Sequence, residues 1–425
     1  MGKMITTGKA PISVVTLTAI LALSLVVNLP GLAVTPMLDT LKRIFPDSTQ
    51  LEAQLLTTLP NVLIIPFVLL SGKFSETPHK IAVVVGGLVV FTACAVAYMF
   101  ATSMTALIII SCLIGAGAGI LIPFSTGLLA DTFSGVYKMK EMGVQSGVAN
   151  LTLVVATYVV GWLQNGNWHL PFVVYLLAVI PLILAPFLKG IPKNEADVPS
   201  SQTEGVAKEG DGDVKFAKNG FSIGRTAGIF MVYLTVTYLT IVISYYCPFL
   251  AEKHHWSDSL TGTVTALYFL FIFLPGFFLT PIIRCLRGMT CVVSAFSVVA
   301  GLALFAFFPY EWALCVGAVL CGFGYGVIQP LMYDKATRIV DRPAKATLAL
   351  SIILAANYLA IVIAPFFIDG VRSLFHDAGT GTFSFTMNFV LACVFFVVAV
   401  VRRKRFSFAI PVSYYKEVKN GKTNV

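Results

Sequence analysis

Long apolar runs alternate with short polar breaks along most of this chain. From Ile12 to Val401, stretches of about 20 apolar residues recur, each long enough as a helix to cross a hydrocarbon core of about 30 Å. The runs predict about twelve spans, near 12–38, 52–72, 81–101, 105–130, 142–163, 169–189, 224–250, 259–283, 289–308, 311–332, 347–369 and 383–401. Lipid offers backbone groups no water, so runs of this length must be helices that satisfy their own N–H and C=O groups. The expected fold class is an all-α integral membrane protein. Its first run follows Lys3 and Lys9 as in a signal peptide, but it continues to about Leu38 without a small-residue cleavage pattern and reads as a retained span.

The longest polar interval, "IPKNEADVPSSQTEGVAKEGDGDVKFAKNG" at 191–220, carries too little apolar content to fold alone and reads as a linker. It divides the chain into a six-helix bundle over 1–190, a linker over 191–222, a second six-helix bundle over 223–401 and a basic tail over 402–425. Composition agrees: 57% of residues are hydrophobic and 12% charged, with a mean hydropathy of +0.87, whereas soluble domains carry about a quarter charged residues. An even number of spans puts both ends on one side. If that side is the cytoplasm, about 25 of the 29 Lys and Arg residues lie inside, leaving Lys42, Arg43, Lys253 and Arg372 outside. The net charge of +9 therefore reports topology, with N and C termini cytoplasmic, and a nucleic-acid partner is not expected. The short loops fit a cell membrane, inner or plasma, and a monomer is expected. The eight cysteines show no C-x-x-C spacing and no histidines at metal-site distance, so neither a metal nor a cofactor is expected.

The two halves repeat each other. "LIGAGAGILIP" at 113–123 has a partner in "LCGFGYGVIQP" at 320–330, so Gly115, Gly117, Gly119 and Pro123 match Gly322, Gly324, Gly326 and Pro330 at an offset of 207 residues, which also carries Asn150 onto Asn357. Equivalent spans run in the same direction, making two parallel pseudo-repeats related by an axis along the membrane normal. Gly115-x-x-x-Gly119 and Gly322-x-x-x-Gly326 are small-residue faces for close helix packing. Pro123 and Pro330 follow where a helix can bend, so each cluster reads as a packing pivot. A phosphate cradle would need glycine where Ile120 stands and a strand before it.

Two six-span halves with parallel repeats and a central loop resemble the major facilitator superfamily over nearly the full chain. The loop after span two, "GKFSETPHK", is similar to that family's G-x-x-x-D-R-x-G-R-R, with Gly72, Glu76 in the acidic position and Lys80 among the basic ones, while Thr77 and His79 depart from it. The resemblance implies a cytoplasmic gate made of Gly72, Glu76 and Lys80, and Asp131 and Asp334 join it by their position at the inner ends of spans four and ten. Ser111 stands where many relatives carry an arginine associated with proton coupling. Span five, "EMGVQSGVANLTLVVATYVVGWLQNGNWHLPF", resembles bacterial drug and organic-solute exporters in its overall run but lacks their G-P-x-x-G-G signature.

No acidic residue falls near the middle of a predicted span, where a charge costs several kcal/mol and marks a coupling or substrate site. Neutral polar groups lie there instead. The family resemblance places a substrate cavity between the halves, and Asn28, Asn61, Gln145, Asn150, Tyr245, Tyr268, Gln329 and Asn357 fall at suitable depths to line it. Amides and phenols among phenylalanines suit an amphipathic organic molecule; the plainer reading of each is a hydrogen bond between helices. The expected function is secondary active transport of small amphipathic organic solutes by alternating access, with efflux leading and a proton or another ion open as the driver. Uptake or exchange of an amphipathic organic anion, bile-salt-like or carboxylate, is the alternative, and a non-transporting membrane sensor on the same fold is a third reading. No G-x-S-x-G, H-E-x-x-H or intramembrane acid–base pair points to an enzyme.

Overall fold

A computed structural model of the chain describes residues 4–31, 38–46, 48, 50–75, 77, 79–163, 167–191, 222–254, 256, 258–340, 345–374 and 380–410. Among these, 11 helices are long and apolar enough to cross a membrane, and Val14–Val26 forms a shorter apolar helix in the first span. The fold is all-α and membrane-spanning. Linker residues 192–221, the tail beyond 410 and Glu76 lie outside the described residues.

The chain forms two compact units, Met1–Ser134 with Val148–Lys193 and Arg342–Val362, and Gly135–Gly147 with Asn194–Asp341 and Ile363–Val425. In the first unit, Met4–Ile5 pairs antiparallel with Ile12–Ser13 ahead of α1 (Val14–Ala22), whose cap is the Ser13 hydroxyl accepting the Thr16 N–H at 3.1 Å. The described helix of the first span ends at Val26, short of the predicted 38. Pro30 lacks an N–H and Gly31 takes φ +75°, so the helix cannot continue through them. There follow α2 (Leu38–Ile44), α3 (Gln50–Phe74), α4 (Lys80–Ala97), α5 (Met104–Thr132) and α6 (Gly135–Leu163), of which α6 belongs to this unit from Val148 onward. The sixth span is a 3-10 rod over Leu170–Ala178 and Ala185–Gly190 around a single α-helical turn and a half, α7 (Val179–Leu184). Pro171, Pro181 and Pro186 remove the donors a continuous α-helix would use.

The second unit holds α8 (Ile223–Lys253), α9 (Asp258–Phe277), α10 (Leu279–Leu286), α11 (Thr290–Phe307), α12 (Glu311–Ala336), the later part of α13 (Ala346–Leu374) and α14 (Thr380–Val401). The predicted eighth span, 259–283, is two helices. It breaks at Phe278, flanked by Pro275, Gly276 and Pro281, so its last residues start the separate helix α10.

The glycine clusters do the same work in each unit. Residues two apart on a helix point about 200° from each other, so alternate glycines serve opposite neighbours. A Cβ on Gly115 would lie 2.6 Å from the Pro60 carbonyl oxygen of α3, and one on Gly119 would lie 2.7 Å from the Phe67 Cβ. Gly117 faces Gly87 and Phe91 on α4. In the second unit Gly322 and Gly326 abut Tyr268 and Ile272 of α9, and a Cβ on Gly324 would lie 2.5 Å from the Ser294 carbonyl oxygen of α11. Without water to drive burial, such backbone contact is how helices in lipid gain packing. Both helices run unbroken through Pro123 and Pro330.

Candidate functional site

Three positions on α12, Tyr325, Gln329 and Tyr333, recur every four residues and therefore share one face. They meet Tyr233 from α8 and Ser146 from α6. The Gln329 amide donates to the Tyr333 hydroxyl at 3.0 Å and to that of Tyr233 at 3.3 Å, while the Ser146 hydroxyl donates to its Oε1. Tyr233 closes the set through contacts of 2.9 Å to the Tyr333 hydroxyl and 3.3 Å to that of Tyr325. All five side chains are buried. The cluster is neutral, and its hydroxyls can each turn from donor to acceptor, so it can rearrange around a polar group without moving a charge.

Of the residues expected to line a cavity, four lie in each unit. In the first, the Asn28 amide donates to the Asn150 carbonyl oxygen at 3.4 Å, joining two candidates 122 positions apart. Asn61 donates to the Thr57 carbonyl at 2.9 Å and packs under Gly31, where a Cβ would come within 2.6 Å of its amide nitrogen. Asn357 is half-buried beside Tyr358, whose hydroxyl donates to the Val27 carbonyl at 3.3 Å. In the second unit Gln329 centres the cluster above, Gln145 and Tyr268 are buried, and Tyr245 is half-buried. Of the five cluster residues only Gln329 is among the expected lining residues; Ser146, Tyr233, Tyr325 and Tyr333 are not. The four-residue spacing from Tyr325 and Gln329 would have reached Tyr333, but no sequence signal pairs Ser146 with a residue 183 positions away.

Ser111, on α5, is buried in a hydroxyl relay. It lies 2.6 Å from the Tyr98 hydroxyl and donates to the Leu56 carbonyl at 3.1 Å, with Tyr98 stacked on Phe172 and Tyr175 at 4.3 and 5.3 Å between centroids. Among the described residues, both of its hydrogen-bond partners are neutral.

Ion pairs lie at the C-terminal ends of α5 and α12, and another, Arg372 with Asp369 at 3.4 Å, lies on α13. Asp131 pairs with Lys80 at 2.6 Å, and Lys9 donates to its backbone carbonyl at 2.8 Å. Asp334 pairs with Lys138 of α6 and Arg338, each at 3.1 Å, and not with adjacent Lys335, which donates instead to the Ser407 carbonyl at 2.7 Å. Neighbours in a helix point about 100° apart, which separates Asp334 from Lys335. The offset of 207 also makes Arg338 the counterpart of Asp131, and Gly127 that of Asp334, so the two aspartates are not equivalent positions. Gly72 packs on α13, where a Cβ would meet the Ser351 hydroxyl at 2.5 Å. Among the described residues, no three His, Cys, Asp or Glu side chains gather closely enough to hold a metal.

The family model described as Major Facilitator Superfamily matches residues 14–365 and 225–412. The chain belongs to the major facilitator superfamily. It is thus a multi-pass integral membrane transporter of small molecules and not an enzyme. Within the superfamily, the chain is 31% identical over 119 residues to the multidrug transporter protein MdtP of Bacillus subtilis (strain 168), a stretch covering 28% of this chain and 21% of that one. The fold is similar to that of the human organic anion transporter MFSD10 (TETRAN), with a TM-score of 0.66 at 17% identity over 90% of this chain and 97% of that one. It is also similar to the proton:xylose symporter XylE bound to 6-bromo-6-deoxy-D-glucose, with a TM-score of 0.64 at 12% identity over 95% and 98%.

Proposed function

We propose that this superfamily member is a secondary active transporter that carries small amphipathic organic solutes out of the cell by alternating access. The observation that carries the reading is the neutral cluster of Ser146, Gln329, Tyr233, Tyr325 and Tyr333 in the second unit, matched in kind by the Asn28–Asn150 pair in the first. Amide and phenol groups set among aromatic rings recognise a solute through a few directed hydrogen bonds and a large apolar contact, and demand no fixed charge on it. The span-five resemblance to exporters supports efflux as the direction, and the relative named as a multidrug transporter supports organic solutes as the cargo. Both termini face the cytoplasm on this reading, the chain works as a monomer in the cell membrane, and its halves are 1–190 and 223–401 joined by the linker. Gly72, Glu76, Lys80, Asp131 and Asp334 form the gate on the termini side, and the Gly115–Gly119–Pro123 and Gly322–Gly326–Pro330 faces are the packing pivots. The driver is a proton or another ion, by a route that does not use an arginine at position 111.

The test is flux in proteoliposomes of a fluorescent amphipathic dye and, separately, of an amphipathic carboxylate, each with and without an imposed pH gradient. Dye movement accelerated by the gradient, and reduced at least tenfold by Gln329→Leu, is the expected result. Movement of the carboxylate alone would replace this reading with uptake or exchange of an organic anion. Ligand-induced thermal stabilisation without flux of either probe would replace transport of these solutes with sensing.

A further inference from the structure

From the last turn of α10 to the start of α11, and after α14, the second unit gathers cations that the transport reading uses only for orientation in the membrane. Arg284, Arg287, Arg402, Arg403, Lys404 and Arg405 are all exposed, and among the described residues none of them forms an ion pair with a carboxylate. The Arg403 guanidinium reaches the Met289 sulfur at 3.9 Å, which brings the two groups of cations to one place.

The scaffold beneath them is ordered. The segment after α14 turns on itself, with the Arg405 N–H bonded to the Arg402 carbonyl at 2.9 Å and the Ala409 N–H to that of Arg405 at 2.8 Å. Phe408 and Ile410 are buried, Arg225 covers the Phe406 ring at 4.6 Å, and Lys335 holds the Ser407 carbonyl. Arg287 takes φ +48° and ψ −129°, a backbone region suited to glycine, although Gly288 follows directly. An arginine kept in such a conformation is a reason to look for what its side chain does.

Beside these cations runs an exposed apolar stripe. Met289 just before α11, Phe296 on α11, and Val394, Val397 and Val401 on α14 are exposed side chains, and Phe296 meets the Phe396 ring at 5.7 Å between centroids. Cations directly above an apolar surface at the end of a span match an anionic phospholipid, with phosphate on the guanidinium groups and acyl chains along the stripe. We infer that this corner of the second unit is a binding site for an anionic phospholipid, and that Arg287, Arg403 and Arg405 hold its phosphate. The site is independent of what the transporter carries.

The full chain, purified in a neutral detergent, is melted with added phosphatidylcholine, phosphatidylglycerol or inorganic phosphate. Phosphatidylglycerol raises the melting temperature several degrees above phosphatidylcholine, and inorganic phosphate does not. The triple variant R287Q/R403Q/R405Q loses most of that increment while melting normally in phosphatidylcholine, whereas K73Q/K140Q, which neutralises two exposed cations elsewhere, keeps it. Arg287→Gly gives opposite signs in one protein: a higher melting temperature in phosphatidylcholine, since glycine accepts the backbone freely, and a smaller phosphatidylglycerol increment. An equal increment in wild type and triple variant overturns the proposal. So does an equal loss in K73Q/K140Q, which would make the effect one of net charge, and so does a full increment from phosphate alone, which would make the site one for free anions.

Discussion

The same place in the repeat is built from a glycine in one unit and from an ion pair in the other. On α5, Gly127 lies against Thr347 of α13 so closely that the Thr347 Cβ would stand 2.9 Å from any Cβ added to it. Its counterpart on α12, 207 residues later, is Asp334, which meets Lys138 of α6. Because α6 and α13 are themselves counterparts, the repeat preserves which helices touch while replacing the chemistry of the touch. A glycine contact is short-range and indifferent to salt. A buried ion pair is directional, and costly to leave half made. The charged end of α5 appears one turn later, where Asp131 and Lys80 pair in a more open setting, with side-chain exposures of 11% and 31% against 2% and 12% for Asp334 and Lys138.

That difference is most sharply broken at Asp334. Asp334→Asn removes a carboxylate that pairs with both Lys138 and Arg338, and among the described contacts it leaves Lys138 the neutral Thr337 hydroxyl at 2.6 Å. Stripping one partner from a buried pair costs about 3–5 kcal/mol, so the melting temperature in detergent should fall further than for Gly127→Ala, Ser111→Ala or Lys80→Ala. Asp334→Glu, which keeps the charge, should recover most of the loss. If the two variants melt alike, the contact is held by packing and the contrast with Gly127 disappears.

The glycine side of the comparison is tested by adding one methyl group. In Gly127→Ala the new Cβ overlaps the Thr347 hydroxyl and methyl, an overpacking that costs about 1–3 kcal/mol. Thr347→Ala removes two of the three nearest atoms, so the double variant should regain stability that neither single change restores, and this non-additivity is the measurement. Ser111→Ala, away from either contact, should cost about 1 kcal/mol because the Tyr98 hydroxyl loses its buried partner. It should also leave the pH dependence of dye flux unchanged, since the relay carries no charge.

The sequence is most readable where one physical demand dominates. Apolar runs had to be helices in lipid, so the spans, the repeat and the paired glycine clusters could be located from residue order alone. Prolines modified the result: Pro30 with Gly31 shortened the first helix, Pro275 and Pro281 split the eighth, and three prolines turned the sixth mostly into 3-10 helix. The candidate polar residues were legible as a set, because an amide within an apolar run is conspicuous, but their partners were not. Asn28 meets Asn150 and Ser146 meets Gln329 across 122 and 183 residues, and only packing decides such pairs. Asp334 was legible as a charged residue at the inner end of span ten, but its partners Lys138 and Arg338 were not, because the first comes from another helix and the second lies one turn further on.

The smallest effect separates the two ion pairs from each other. Lys80→Ala removes the partner of Asp131, but the Lys80 side chain is 31% exposed, so water and salt already screen the pair and the change should cost no more than about 1 kcal/mol. Asp131 also keeps Lys9 nearby through its backbone carbonyl, which softens the loss. Salt should therefore tell the pairs apart more cleanly than the mutations alone. Melted at about 0.1 M and then about 1 M salt, where the screening length falls from about 10 Å to about 3 Å, Lys80→Ala should converge on wild type, while Asp334→Asn should remain well below it. Convergence of both would mean that the Asp334 pair is as open to solvent as the Lys80 pair, and persistence of both would mean that exposure does not set their strength. Either result would remove burial as the reason one unit keeps a charge where the other keeps a glycine.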